Sequence, residues 1–259
     1  MTRLKTELGR ALCGIGVFMI LWNITGFFVY KTIENDTPHV YDDHPRTVSE
    51  KEFWEQAWRT TGEDLEEYLR RLARLASDRM LRIDPEHTTP TIFENWIVWL
   101  YSRYLGKYEW IDSARAARLG GGFCSQHAIL FNNILREQGI ESRILGLKGH
   151  VVNEVLVGGK WKVYDADYDV VFDTSLKDLE DHPEKVEAAY KAAGRPEEEA
   201  RHWRDVFAAS DNHENFRSAM MYSPRRYLVE TAALYLIWIL PVACIFMGLA
   251  LGRGAKRRA

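Results

Sequence analysis

With 259 residues and a formal net charge of −3, the chain is long enough for one ordinary domain with additions, and its near-neutral balance excludes the basic footprint of a nucleic-acid binder. Charged residues make up 27% of the chain, yet two stretches near its ends carry none. The average therefore conceals a polar middle between two apolar runs.

Residues 11–30 read ALCGIGVFMILWNITGFFVY and residues 231–251 read TAALYLIWILPVACIFMGLAL. A helix of about 20 apolar residues crosses a hydrocarbon core of roughly 30 Å, so both are expected to span a membrane. Pro241 is tolerated there when neighbouring groups satisfy the carbonyl it frees. The first run is longer than the apolar region of a signal peptide and has no small-x-small cleavage site, so an uncleaved anchor is expected. Arg3, Lys5 and Arg10 precede the first run, and Arg253, Lys256, Arg257 and Arg258 follow the second. The positive-inside rule then puts both termini in the cytoplasm and residues 32–226 on the extracytoplasmic side, periplasmic in a bacterial cell. Residues 1–31 are thus a tail and first span, and 227–259 a second span and basic tail. The domain between them has its core at about 91–173 and carries about nine net negative charges.

The chain has three cysteines. Cys13 and Cys244 fall in the expected spans, which leaves Cys124 without a disulfide partner in the outer domain, where an unpaired thiol is a liability unless buried or used.

After the first span, Ser49 and Glu52 form a capping box ahead of a helical stretch near 50–80. A second helix is expected at 91–105, where Trp96, Trp99, Leu100 and Arg103 keep helical spacing and read as a core-facing stripe. Residues 173–222, rich in Glu, Lys, Arg and Ala, read as helical with a break at 194–196. Between these wings runs GGGFCSQHAILFNNILREQGIESRILGLKGHVVNEVLVGGKWKVYDADYDVVF. Cys124, Ala128, Phe131 and Leu135 form the buried stripe of a helix that Gly139 ends. Strands are expected at 142–147, 150–157 and 160–165, with Gly158-Gly159 as the hairpin turn between the last two. The fold class is α+β, a helix packed on an antiparallel sheet.

A cysteine at a helix start feels the positive end of the dipole, which favours its thiolate. Gly120, Gly121 and Gly122 allow a sharp turn before it and close approach of a substrate, and the Gly121–Ser125 neighbourhood can present an N–H to an oxyanion. His150 starts a strand placed to lie under that helix, on a face with Val152, Glu154 and Leu156. Asp165 ends the partner strand and can orient the imidazole. His127, one helical turn after Cys124, is a rival base. Asp167 is a rival carboxylate: a two-residue turn pairs Val157 with Lys160, and counting back sets Val152 opposite Asp165 and His150 opposite Asp167. The run Asp165, Asp167, Asp169, Asp173 has calcium-loop spacing, but Val170 stands at the required glycine and Leu176 at the twelfth position, so neither a metal nor another cofactor is expected.

The order glycine loop, Cys124, Ala128, then Leu135-Arg136-Glu137-Gln138-Gly139-Ile140-Glu141-Ser142-Arg143 resembles the transglutaminase-like superfamily. His150, Asn153-Glu154-Val155, Gly158-Gly159-Lys160 and Trp161 to Asp165 continue it, so the resemblance covers roughly residues 96–172. It implies a papain-like core in which Cys124 is acylated, His150 is acid and base, and Asp165 orients the histidine. It also favours Asp165 over Asp167. Val152 and Phe123 depart from the family's usual residues, which bears on substrate preference. The implied function is a membrane-anchored, extracytoplasmic cysteine hydrolase or acyltransferase acting on a peptide or protein amide of the cell envelope. The alternatives are an arylamine N-acetyltransferase-like enzyme, which shares GGFC before a helix, and an inert scaffold in envelope assembly.

Overall fold

The computed structural model describes residues 2–41, 46–209 and 214–256. In chain order it comprises α1 (Thr2–Thr25), α2 (Glu50–Gln56), α3 (Leu65–Arg79), β1 (Leu81–Arg82), α4 (Trp96–Leu105), α5 (Ser113–Leu119), β2 (Gly121–Gly122), α6 (Cys124–Glu137), β3 (Ser142–Leu147), β4 (His150–Val157), β5 (Lys160–Asp165), β6 (Val170–Phe172), α7 (Leu176–Asp181), α8 (Glu184–Ala192), α9 (Glu197–Phe207), β7 (Glu214–Phe216), α10 (Ala219–Tyr222) and α11 (Pro224–Lys256). These fall into two compact units.

The first unit gathers Met1–Lys31, Thr89–Tyr108 and Leu228–Ala259. Two helices are long and apolar enough to cross a membrane, over Arg3–Thr25 and Pro224–Arg253. The first begins well before the uncharged run and stops at Thr25, so residues 26–30 lie beyond it. The two helices run antiparallel, because Gly9 meets Gly248 while Gly16 meets Pro241 and Ile245. A Cβ at Gly9 would lie 2.6 Å from the Gly248 carbonyl oxygen, and one at Gly16 2.6 Å from that of Pro241. Small residues at these points let the backbones approach closely, which is how helices associate where no hydrophobic effect drives them together. Pro241 has no N–H for the Ile237 carbonyl one turn earlier, and the side-chain amide of buried Asn23 on α1 donates to that carbonyl instead.

Residues 91–108, assigned to the outer core from sequence, belong to this first unit. The indole N–H of Trp22 donates to the Ile92 carbonyl at 3.2 Å, and its ring stacks on Phe93 with centroids 4.5 Å apart. The expected inward stripe on α4 is corrected: Val98 and Ser102 are buried, whereas Leu100 and Arg103 are exposed. Helical spacing fails to choose a face here because α4 is apolar nearly all round.

The second unit contains Thr32–Thr88 and Glu109–Tyr227. The capping box at Ser49 starts α2, but the stretch expected as one helix breaks after Gln56. Gly62 turns the backbone at φ +85°, and Asp64 caps a new helix by accepting from the Glu66 and Glu67 amides. The centre of the unit is α6, whose residues 124–132 are all buried. It lies on a five-stranded antiparallel sheet of order β6-β5-β4-β3-β7. The first three strands after α6 have the bounds expected from sequence, and Gly158 and Gly159, at φ +58° and +79°, supply the paired left-handed turn between β4 and β5. The region expected as helical from 173 onward forms α7, α8, α9 and α10, with Gly194 at the break and β7 added at the sheet edge; residues 210–213 lie outside those described.

Alternation along β4 and β5 sorts side chains onto two faces. Val155, Val157 and Tyr164 pack with Phe131 and Leu135 of α6 and with α3. Val152 and Val163 pack on the opposite face with Leu179, Val186, Tyr190, Trp203 and Phe207 of the α7–α9 wing. The sheet is therefore covered on both faces.

Candidate active site

Cys124 is the first residue of α6 and is 6% exposed. The preceding N-cap position is held by Phe123, whose side chain has no acceptor for the first helical amides, and its ring is 38% exposed. The glycines before it are packing residues and are not open to a ligand. Gly121 and Gly122 are buried and pair in parallel with Leu81 and Arg82. A Cβ on Gly121 would lie 2.9 Å from Ile33, and one on Gly122 would collide with Gln126.

His150 opens β4, and parity puts it on the face of Val152, turned toward the wing and away from α6. Because it is the strand's first residue, its ring lies at the end of the sheet, where Cys124 is one of the groups that acts on its charge. Its Nε2 is 2.8 Å from Asp165 Oδ2, so Nδ1 is the ring nitrogen not held by that carboxylate. Asp165 is fully buried and completely engaged. Its Oδ2 also accepts from the Tyr190 hydroxyl, while Oδ1 accepts from the amides of Asp167 at 3.0 Å and Tyr168 at 3.3 Å. Burial alone raises a carboxyl pKa, but the charge and hydrogen bond of His150, with Tyr190 and Arg82, outweigh it and leave Asp165 below its ordinary value. Burial likewise pushes His150 down, and the charge and hydrogen bond of Asp165, with Cys124, hold it well above 6.5.

The register explains which carboxylate does this. Val157 pairs with Lys160 and the ladder continues to Asn153 opposite Tyr164, as counted from the turn. It does not extend to His150, which pairs with Leu147 on β3. Asp165 ends β5, and its hydrogen bonds to the Asp167 and Tyr168 amides fold the chain over. Asp167 then faces Arg82, whose Nε donates to it at 2.7 Å and whose guanidinium also covers the Tyr168 ring.

His127 is 1% exposed, and both its ring nitrogens point at main-chain carbonyls, Nδ1 at Phe123 (3.0 Å) and Nε2 at Met80 (3.2 Å). Neither is left for the thiol. Ser125 donates to Glu109, whose other oxygen accepts from Arg226 at 3.0 Å. The four aspartates of the acidic run also diverge: Asp169 pairs with Arg74 and Asp173 with Arg70. Ligand atoms of His150, Asp165 and Asp167 lie within 4.8 Å of one another, the one such trio among the described residues. Each is already held by a hydrogen-bond donor or acceptor, so the trio fits a proton-handling pair beside an ion pair better than a cation cage.

Three contributors were absent from the sequence reading. Trp203 of α9 packs against the His150 ring with centroids 4.4 Å apart and planes tilted by 34°, Tyr190 of α8 holds Asp165, and Tyr222 of α10 packs on the cluster that holds Ala128 and Ile129 of α6. Burial, with the nearby charges of Glu109 and Cys124, pushes the Tyr222 phenol up to about 12. The only signal of the first two was an apolar stripe on charged helices, Val186 with Tyr190 and Ala200 with Trp203 and Phe207, which reports a packed face and not its neighbour. A cleft of about 950 Å³ is lined by Arg74, Arg82, Tyr168 and Arg195 and does not include Cys124 or His150. Cys124 and His150 are both nearly closed off from solvent. No family model, curated protein or solved structure matches the chain.

Proposed function

We propose that the chain is a membrane-anchored cysteine acyl-transfer enzyme of transglutaminase-like, papain-like type, working on a peptide or protein amide on the extracytoplasmic side. The observation that carries this reading is the buried His150–Asp165 hydrogen bond, with the helix-start Cys124 among the groups that raise the imidazole's pKa. Cys124 Sγ attacks the amide carbonyl carbon after its proton has passed to His150. The oxyanion that forms is met by the amide at the uncapped start of α6. The C–N bond breaks as His150 returns a proton to the leaving amine, leaving a thioester. Water or a second amine then attacks the thioester, gives its proton to His150, and frees the thiol. Asp165 keeps the imidazole in the orientation both steps need.

The test is acylation of the full chain by an activated acyl ester, followed as intact mass. The parent is expected to gain one acyl group at Cys124 and to lose it on adding an amine, and His150→Ala to gain it at least a hundredfold more slowly. Equal rates would end the enzyme reading. The near-complete burial of Cys124 and His150 favours one competitor, an inert scaffold of the same fold, which the equal-rate outcome would select.

A further inference from the structure

Helix α4 is inside out compared with a helix of a water-soluble domain. The buried positions Asn95, Val98 and Ser102 recur at helical spacing, and two of the three are polar. Asn95 Oδ1 accepts from the Ile97 and Val98 amides while its Nδ2 has no hydrogen-bond partner among the described residues, and the Ser102 hydroxyl donates to the Trp99 carbonyl at 2.7 Å. The outward positions carry Leu100 at 61%, Tyr104 at 90% and Leu105 at 46% exposure. A helix in water presents the reverse arrangement.

Its neighbours say what lies outside. At one end, Ile92 and Phe93 are fastened to Trp22, in the last turn of α1. At the other, the Tyr108 hydroxyl donates to Glu230, near the start of α11, at 2.7 Å. In an antiparallel pair these are the same end, so α4 sits where two spans leave the hydrocarbon. Phe27, Phe28 and Tyr30, just past α1, are exposed at that same end. The sequence WIVWLYSRYL also has the Trp and Tyr content of a membrane–water boundary, with Arg103 and Lys107 exposed for headgroup phosphates.

We infer that α4 is a third membrane element, an interfacial helix whose outward face of Leu100, Tyr104 and Leu105 lies in the lipid headgroup and upper acyl layer. α1 and α11, in the same unit, also expose apolar side chains, and a bilayer covers all three. The inference uses the two spans and is independent of the chemistry at Cys124. It can be tested in the full chain carrying Cys13→Ala, Cys124→Ala and Cys244→Ala, with one nitroxide label at Leu100→Cys, Tyr104→Cys or, as an exposed control in the second unit, Lys51→Cys. The protein is reconstituted in vesicles of phosphatidylcholine and phosphatidylglycerol. Labels at 100 and 104 are expected to collide with oxygen several-fold more than with a water-soluble nickel chelate, with the order reversed at 51. Nickel collisions at 104 equal to those at 51 would put α4 in water. Low collisions with both reagents at 100 and 104 would mean a protein partner, such as a second copy, covers the helix. Either result would overturn the lipid assignment.

Discussion

Two buried histidine–aspartate assemblies lie side by side in this molecule and are built for different ends. His150 and Asp165 form one, joined through Nε2, with the second ring nitrogen held by no carbonyl among the described residues and Cys124 among the groups that act on the ring's charge. His127 and Asp167 form the other, with Nδ1 3.5 Å from the carboxylate, both ring nitrogens closed on carbonyls and the carboxylate on Arg82. Residue type and burial are the same in both. What differs is where the second nitrogen points, and that is set by whether the histidine sits at the first residue of a strand or inside the first turns of a helix.

Breaking each carboxylate should separate the two most widely. Asp165→Asn is expected to slow acylation of Cys124 by about 10⁴ through loss of the orienting acceptor. Asp167→Asn leaves Arg82 buried with a weaker partner, and is expected to lower unfolding free energy by about 3 kcal/mol while the folded fraction keeps its acylation rate. Denaturant melts beside the acylation assay distinguish them, and a rate loss as large in Asp167→Asn would unite the assemblies. Next comes His127→Gln, which should cost about 1–3 kcal/mol of stability and leave the rate per folded molecule unchanged. A smaller effect is expected from Tyr190→Phe, which removes one donor from Asp165: about tenfold in acylation, with the pH profile moved because the carboxylate is freed to hold His150 more strongly.

The smallest expected effect is the pH dependence of stability. His150 is raised above 6.5 in the fold, so its contribution is complete below 6.5 and is lost as pH rises from there through the folded value. Asp165 is lowered from 3.8, so its contribution is present above 3.8 and is lost as pH falls through its folded value. The pair therefore stabilises most between 3.8 and 6.5. The difference in melting temperature between the parent and His150→Gln should be widest in that window and narrow on its alkaline side; a difference that grows above 6.5 would contradict the raised value.

Much of the second unit was readable because its signals are local. Strict alternation, Gly158-Gly159 and the stripe ending at Gly139 mark β4, β5 and α6, and Ser49 with Glu52 marks the start of α2. The contact of His150 with Asp165 followed from the resemblance and not from local signals, since counting from the turn set Asp167 opposite His150. The direction His150 faces was not readable, since alternation says which residues share a face and is silent on which layer covers it. The wing thereby escaped notice, although Trp203 and Tyr190 complete the surroundings of the imidazole and carboxylate. Likewise β7 spans three residues in a polar stretch, and only its pairing with Ile144 to Gly146 makes it a strand.

The Asn23 amide also has a mechanical consequence. Because it is bound to the carbonyl that Pro241 leaves without a helical donor, it pins the axial setting of α1 against α11. A slip of one residue, about 1.5 Å, would leave a buried primary amide and a carbonyl without each other, a cost of several kcal/mol wherever no water replaces the bond. Piston-like sliding is therefore the stiff direction of this pair. Bending about the proline, which keeps the bond, is the compliant one, so the pin acts as a hinge.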